Sequence, residues 1–206
     1  MTVAATREVD EAELGQRDKN NRARREALIE AAYALFSERG YAATTMDEIA
    51  ARAGLSRRTA FRYFASKDDL VFPEQGSRQA SFEALLAPRE GEPAFETVKR
   101  ACLALGRHYQ DDRERQLAQF RVIRAEPSLV GRELAIDRAL EAAIERTFLR
   151  HERDTTRTRR RARVRASAIT GALRATVREW LEGGATQDLV RLGRETFAEL
   201  EAGFGE

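Results

Sequence analysis

The sequence predicts an all-α protein with two helical regions. Only four prolines interrupt its 206 residues, and no run rich in Val, Ile and Thr favours strands. Hydrophobic residues make up 42% of the chain, enough for a buried core, and charged residues make up 34%, as in helices with one solvated side. A chain of this length forms one large domain or two small ones.

The N-terminal part begins with an acidic stretch. Residues 1–18 carry five acidic and two basic side chains without apolar periodicity, which predicts an acidic arm that is disordered, flexible or loosely helical. A first helix is predicted from about Asn20 to Arg39, where Leu28 and Phe36 belong to one apolar side, and Gly40 ends it.

Two short helices follow the first one. Thr45 is a predicted N-cap of a helix whose apolar residues share one face, and Gly54 ends that helix because Gly adopts positive φ without penalty. Ser56 is a predicted cap of the second helix, which runs to about Tyr63. Two short helices joined by a Gly-containing turn predict a helix-turn-helix whose second helix enters a major groove.

The second short helix carries three arginines and no acid. Residues 19–67 as a whole hold ten basic and five acidic side chains, a charge balance that favours a nucleic-acid partner. Arg57 and Arg58 are the predicted base readers, because Arg pairs bidentately with guanine O6 and N7. Contact with the DNA backbone or with solvent is the alternative for each.

The same residues carry a family resemblance. The pattern Ile-Ala-x-x-Ala-Gly-Leu-Ser-x-x-Thr-x-Phe-x-Tyr-Phe-x-Ser-Lys-x-x-Leu over residues 49–70 resembles the DNA-binding domain of TetR-family transcriptional repressors. The stretch Ala-Tyr-Ala-Leu-Phe-Ser-Glu-Arg-Gly-Tyr over residues 32–41 resembles a second hallmark of that family. The resemblance implies a DNA-binding domain over residues 19–72 and an effector-binding and dimerisation domain over residues 73–206.

The resemblance also implies which side chains contact DNA. Phe61 stands where the family has Tyr, so a phosphate-binding hydroxyl is missing, although the ring is still able to touch a thymine methyl group as a base contact. For the basic residues of the first helix, a solvated helix end is the alternative. The implied phosphate contacts are Thr45, Ser56, Thr59, Arg62, Tyr63, Lys67, Arg22 and Arg25.

Helices continue to the end of the chain. A fourth helix follows Lys67, kinked or delayed by Pro73, and further helices are predicted near 94–110, 112–125, 128–151, 155–182 and 186–202. The last two have apolar stripes that suit either an intramolecular hairpin or, as the resemblance implies, a four-helix dimer interface. The predicted interface residues are Ile169, Leu173, Val177, Trp180, Leu189, Leu192 and Leu200.

The sequence favours no enzyme class. The two histidines, His108 and His151, are far apart and lack a partner at metal-ligand spacing, and there is no Gly-rich phosphate loop. We therefore predict no catalytic residues, no metal and no cofactor. The single cysteine, Cys102, excludes an intramolecular disulfide, and with no signal peptide or membrane-spanning run we expect a soluble cytoplasmic protein.

A small-molecule effector is the least direct expectation. Residues 120–129 together with residues 56–64 resemble an actinobacterial subgroup of the family with an acyl-CoA-like ligand domain. Arg159 and Arg165 flank the apolar stripe of the 155–182 helix, where guanidinium groups suit a phosphate-bearing head group. The alternative is a solvated helix start paired with Glu145, Glu152 and Asp154. The candidate effector residues are Cys102, His108, Tyr109, Arg121, Arg124, Arg159 and Arg165.

Together these expectations describe a ligand-responsive repressor. It would bind a palindromic operator as a homodimer and leave it when a small molecule binds. The alternative is a helical ligand-binding module of the same fold that does not act through specific DNA binding.

Overall fold

A computed structural model describes residues 2–150 and 152–203 of the chain, with side chains from Gln16 onward. His151 lies outside the described residues. Every regular element in the described ranges is a helix, which confirms the all-α prediction. The helices are α1 (Thr2–Arg39), α2 (Met46–Arg52), α3 (Arg57–Tyr63), α4 (Lys67–Val71), α5 (Gln75–Leu85), α6 (Ala94–Asp111), α7 (Arg113–Ala125), α8 (Val130–Leu149), α9 (Thr156–Glu182) and α10 (Leu189–Ala202), with a short 3₁₀ helix (Pro127–Leu129) before α8.

Two helices differ from the prediction. α1 begins at Thr2 instead of near Asn20, because the preceding residues, rich in Ala and Glu, have high helix propensity even without an apolar stripe. The flexible character predicted for residues 1–18 stays a prediction. The helix expected after Lys67 is two helices, α4 and α5, since Pro73 separates them and cannot donate a backbone hydrogen bond.

The chain divides into two compact units, one formed by Met1–Pro73 with Arg124–Glu126 and one formed by Glu74–Ile123 with Pro127–Glu206. In the first unit, α1 packs against α2 and α4, and α2 packs against α3. Its core side chains are Leu28, Ile29, Ala32, Phe36, Ile49, Ala50, Ala60, Phe64, Leu70 and Val71.

The second unit has two apolar clusters. The larger one joins α5, α6, α8, α9 and α10, with Phe82, Val98, Ile144 and Phe197 among its buried side chains. The smaller one surrounds Trp180, whose indole Nε1 donates a hydrogen bond to the Gln187 carbonyl oxygen at 2.9 Å across the α9–α10 turn.

The stripes predicted as a dimer interface belong to these clusters. Ile169, Trp180 and Leu189 are almost fully buried within the protomer. Leu173 and Leu200 pack against the larger cluster, and Val177 and Leu192 pack against the smaller one. The protomer itself therefore covers Ile169, Trp180 and Leu189, as expected for the intramolecular hairpin that was left open as the alternative. The other four side chains are half-buried, and a dimer interface through this set stays a prediction.

Within the described residues, no helix is both long enough and apolar enough to cross a lipid bilayer.

Candidate nucleic-acid interface

The helix-turn-helix is fixed by local capping. Thr45 and Glu48 form a reciprocal capping box at the start of α2, with the Thr45 amide donating to the Glu48 carboxylate at 2.9 Å. These hydrogen bonds from Thr45, together with the nearby Arg39, lower the pKa of Glu48. Gly54 follows α2 at φ +68°, and the Leu55 amide donates to the Ala50 carbonyl oxygen at 2.9 Å. Gly54 at positive φ thus ends α2, as the sequence predicted.

One side of α3 packs against the core, and its other sides face outward. Its N-cap is Ser56, whose hydroxyl oxygen accepts a hydrogen bond from the Thr59 amide at 3.2 Å. Ala60 is fully buried. At about 100° per residue, Arg58 and Arg62 lie roughly 160° to either side of Ala60, so they project furthest from the protein.

Phe61 and Arg57 occupy one flank of α3. Phe61 is 41% exposed, although it is a large apolar residue. The Arg57 guanidinium lies 5.4 Å from the centre of that ring and donates to the carboxylate of Asp47 at 2.8 Å. Arg58, in contrast, is exposed and forms no ion pair with the described side chains.

On the opposite flank, Tyr63 ties α3 to α1. Its hydroxyl donates to the Asn21 side chain at 2.8 Å and accepts a hydrogen bond from Arg62 at 3.3 Å. Tyr63 is only partly exposed, and Phe64 is buried in the core of the first unit.

Two of the predicted phosphate contacts already have partners inside the unit. The Lys67 ammonium donates to the carbonyl oxygens of Tyr41 and Thr44 at 2.9 and 3.2 Å. The Arg25 guanidinium donates to the Pro73 carbonyl oxygen and stacks over the Phe64 ring, 5.1 Å from its centre. Both cations therefore have a structural role that the sequence did not reveal.

The other predicted phosphate contacts are available to different degrees. Arg22 is exposed on α1. The Thr45 hydroxyl donates to Glu48, and the Ser56 hydroxyl shares a hydrogen bond with Thr59. These hydroxyls still lie at the surface, but their first function is to hold the helix starts.

Sequence reasoning missed Asp47 and Asn21. An acid in the first turn of α2 is explained by the helix dipole alone, and an Asn in a solvated helix start draws no attention. Their pairing with Arg57 and Tyr63 depends on how the helices cross. The only signal in the sequence was an acid ten residues before Arg57, which by itself indicates nothing.

The seven candidate effector residues lie in different surroundings, and a common site for them stays a prediction. Cys102 is buried in the larger cluster, where burial raises the pKa of its thiol to about 12. His108 and Arg121 are exposed. Arg124 is also exposed and belongs to the first unit rather than the second.

The arginines at the start of α9 follow the alternative interpretation. Arg159 pairs with Asp154, with one of its hydrogen bonds at 2.9 Å. In the same way Arg161 pairs with Glu152, and Arg163 lies 3.6 Å from Glu145. Arg165 is exposed and lies over the Phe148 ring, 5.7 Å from its centre. This is the solvated, ion-paired helix start that was left open.

Tyr109 is half-buried, packs against the smaller apolar cluster and has polar side chains beside it. The Arg78 guanidinium lies 5.4 Å from the centre of its ring and 3.2 Å from the Asp112 carboxylate. Burial raises the pKa of Tyr109, and burial also raises the pKa values of Glu133 and Asp137, whose charges act on Tyr109. Among the described residues, no group of His, Cys, Asp and Glu side chains has a metal-binding arrangement.

Comparison with known proteins identifies the architecture. Residues 28–72 match the profile of the bacterial regulatory proteins of the tetR family, and residues 92–205 match that of the MftR C-terminal domain. The second match alone covers more than half of the chain.

The chain belongs to the TetR family.

Its relatives in that family are distant. The HTH-type transcriptional regulator HbdR of Aromatoleum sp. is 38% identical over 82 residues, which is 40% of this chain and 35% of HbdR. TcmR of Streptomyces glaucescens is 28% identical over 145 residues, 67% of this chain and 64% of TcmR. The chain thus spans about a third to two thirds of the length of these two curated relatives.

Solved TetR-family structures share the fold at low sequence identity. FadR of Thermus thermophilus, a TetR-family transcriptional repressor solved in complex with lauroyl-CoA, superposes with a TM-score of 0.54 at 23% identity. The match covers 88% of this chain and 95% of that one.

Proposed function

We propose that this TetR-family chain is a sequence-specific DNA-binding transcriptional repressor, acting as a homodimer in the cytoplasm and released from its operator by a small molecule. The observation that carries the proposal is the outward face of α3. Arg58, Arg62 and Phe61 project from a rigidly capped helix, and no described side chain neutralises Arg58. An unneutralised, arginine-rich helix face with an exposed aromatic ring fits a DNA major groove better than solvent.

The proposed division of labour follows the two units. Residues 19–72 bind DNA, and residues 73–206 bind the effector and form the dimer. Arg57, Arg58 and Phe61 contact bases, whereas Arg22, Arg62 and the surface hydroxyls of the capping residues contact phosphates. Phosphate contacts set register and affinity, while base contacts set sequence preference.

The proposed dimer surface is the outer face of α9. Val164 is 60% exposed there, and Ala168 and Ala175 are exposed on the same side of the helix. With Gly171 they form a line about 180° from the buried residues of α9. Small and apolar side chains let a second copy approach closely, so this line suits a helix-helix contact between protomers.

Selection from a pool of random duplex DNA tests the DNA-binding part. The purified protein is expected to enrich a palindromic sequence and to bind it in a gel shift with strong salt dependence. The alternative function, a ligand-binding module without specific DNA binding, predicts that no sequence is enriched.

The proposed effector is an acyl-CoA-like molecule. T. thermophilus FadR shares the fold and is in complex with lauroyl-CoA, and residues 120–129 resemble the acyl-CoA-type subgroup. The polar groups that we propose as effector contacts are Tyr109 and Arg78, since these two half-buried side chains lie against each other in the second unit.

Calorimetry with acyl-CoAs, free fatty acids and CoA tests the effector class. We expect binding of an acyl-CoA, loss of that binding in Tyr109→Ala, and release of the selected DNA on addition of the ligand. Thermal unfolding of the variant checks that it is still folded. Absence of binding by every acyl-CoA would rule out this effector class without affecting the DNA-binding proposal.

A further inference from the structure

A carboxylate stands on the face of the first unit that we propose for DNA. Asp47, in the first turn of α2, accepts a hydrogen bond from Nη1 of Arg57 through Oδ2 at 2.8 Å. Both side chains are exposed, at 54% and 70%. A carboxylate beside a surface that contacts phosphates weakens binding to DNA of any sequence. The position of Asp47 therefore needs an explanation.

The Arg57 guanidinium is held on two sides. Asp47 engages Nη1, and the Phe61 ring lies against the guanidinium at 5.4 Å. The edge formed by Nε and Nη2 is not engaged by Asp47. An arginine side chain has large rotamer freedom, and a planar guanidinium with one edge held and one face covered presents its other edge in a defined direction.

We propose that Asp47 is a positioning residue that holds Arg57 for bidentate reading of a guanine in the operator. This inference rests on the proposed function. Guanine presents two acceptors, O6 and N7, which match the free edge of the guanidinium. A phosphate competes poorly for Arg57, because the neighbouring carboxylate repels it. Asp47 thus converts an arginine able to dock on any phosphate into one that selects a base.

The other ion pairs of the first unit do not have this arrangement. Arg39 pairs with Glu48, and Arg52 pairs with Glu38, so both pairs join α1 to α2 and leave α3 untouched. Only the Asp47 pair reaches a side chain of α3 among the described residues. A purely structural role for Asp47, through the dipole of α2, would change stability and leave sequence preference unaltered.

The experiment compares the wild type with Asp47→Asn on two kinds of DNA. One is the duplex that the wild type selects from a random pool, and the other is mixed-sequence duplex DNA. For Asp47→Asn we expect tighter binding to mixed-sequence DNA and a salt slope steeper by about one unit, because the released Arg57 takes a phosphate. The preference for guanine at one position of each half-site should fall about tenfold.

Three further variants control the comparison. Glu38→Gln removes the same charge from an exposed pair in the same unit, and we expect it to keep the guanine preference. Asp47→Glu retains the carboxylate and should restore part of the preference. In the Arg57→Ala background, Asp47→Asn should change the preference no further, because Asp47 acts through Arg57.

The outcomes separate the inference from the function on which it rests. A wild type that enriches no sequence overturns both. A wild type with a selected operator whose guanine preference survives Asp47→Asn overturns the inference alone. If Asp47→Asn still lowers the guanine preference in the Arg57→Ala background, the inference is also overturned, because Asp47 would then contact the DNA itself.

Discussion

At the scale of single residues, the positive charges of the first unit differ in what they contact, even apart from the arginines that pair with carboxylates. Lys67 and Arg25 are directed inward to carbonyl oxygens, whereas Arg58 is exposed without a carboxylate partner among the described side chains. The spacing of these residues in the sequence does not reveal this difference. The number of basic residues therefore overstates how many are available to DNA.

For Lys67→Ala we expect a loss of stability first and a loss of DNA affinity second. Two hydrogen bonds from a charged donor to the carbonyl oxygens of Tyr41 and Thr44 would be removed. The cost should be roughly 1–3 kcal/mol in the free energy of unfolding. Urea denaturation of the variant measures it, and an unchanged midpoint would mean that the ammonium has no structural role.

For Arg58→Ala we expect a loss of DNA affinity without a loss of stability. The side chain is exposed and joins no ion pair with the described residues, so the unfolding midpoint should stay near that of the wild type. Loss of a bidentate base contact should cost about 1–3 kcal/mol on the selected operator and relax the preference at one position. Equal losses on operator and mixed-sequence DNA would assign Arg58 to the backbone instead.

At the scale of secondary-structure elements, the sequence predicted what is local. Thr45, Gly54 and Ser56 act within three or four residues of themselves, so the starts and the turn of the helix-turn-helix followed from residue type. The side chains that cover an apolar stripe, in contrast, can be far away along the sequence or on another chain. Apolar periodicity indicated the buried side of α9 but could not show that the covering partner is the same chain.

The α9 surface leads to a prediction with an internal control. Glu at both Ala168 and Ala175 would place charges in the proposed contact between protomers and should yield a folded monomer, because both positions are exposed. Leu173→Glu instead disturbs the larger cluster and should destabilise the protomer by roughly 3 kcal/mol or more. Sedimentation together with thermal unfolding distinguishes the two, and an intact dimer in the Ala168, Ala175 double variant would exclude this face.

The connection between α5 and α6 should respond to acid. Arg100 donates to both Glu92 oxygens at 2.9 Å and to the Leu85 carbonyl oxygen. Hydrogen bonds from Arg100, aided by Thr97, lower the pKa of Glu92 from 4.5 to about 2. Its stabilising contribution is complete above pH 4.5 and is lost as the pH falls towards 2.

Glu92→Gln tests this response. The variant should unfold at a lower temperature than the wild type at neutral pH, and the gap should narrow between pH 4.5 and about 2. Glu90→Gln, in the same connection, is the matched control. A gap that stays constant through this range would show that Glu92 does not titrate with its ion pair.

At the scale of the whole molecule, the proposed function requires that the DNA-binding domains of two protomers act together. A helix-turn-helix homodimer places its two recognition helices on one face of DNA, about 34–36 Å or one helical turn apart. Affinity for the palindrome then depends on both half-sites being presented in phase. A single α3 contacts only a few bases, so one half-site alone should bind far more weakly.

Inserting five base pairs between the half-sites of the selected operator turns one of them to the opposite face of the duplex, since a helical turn takes about 10–10.5 base pairs. We expect affinity to fall towards that of a single half-site, by a factor on the order of 10³ or more at physiological salt. The affinity for a duplex with a single half-site is the control that sets this lower limit. The variant with Glu at both Ala168 and Ala175 should bind the original and the lengthened operator no more tightly than this limit. Fluorescence anisotropy measures each of these affinities. If the wild type binds the lengthened operator as tightly as the original, the two DNA-binding domains act independently. That result would contradict both the α9 dimer and its role in operator recognition.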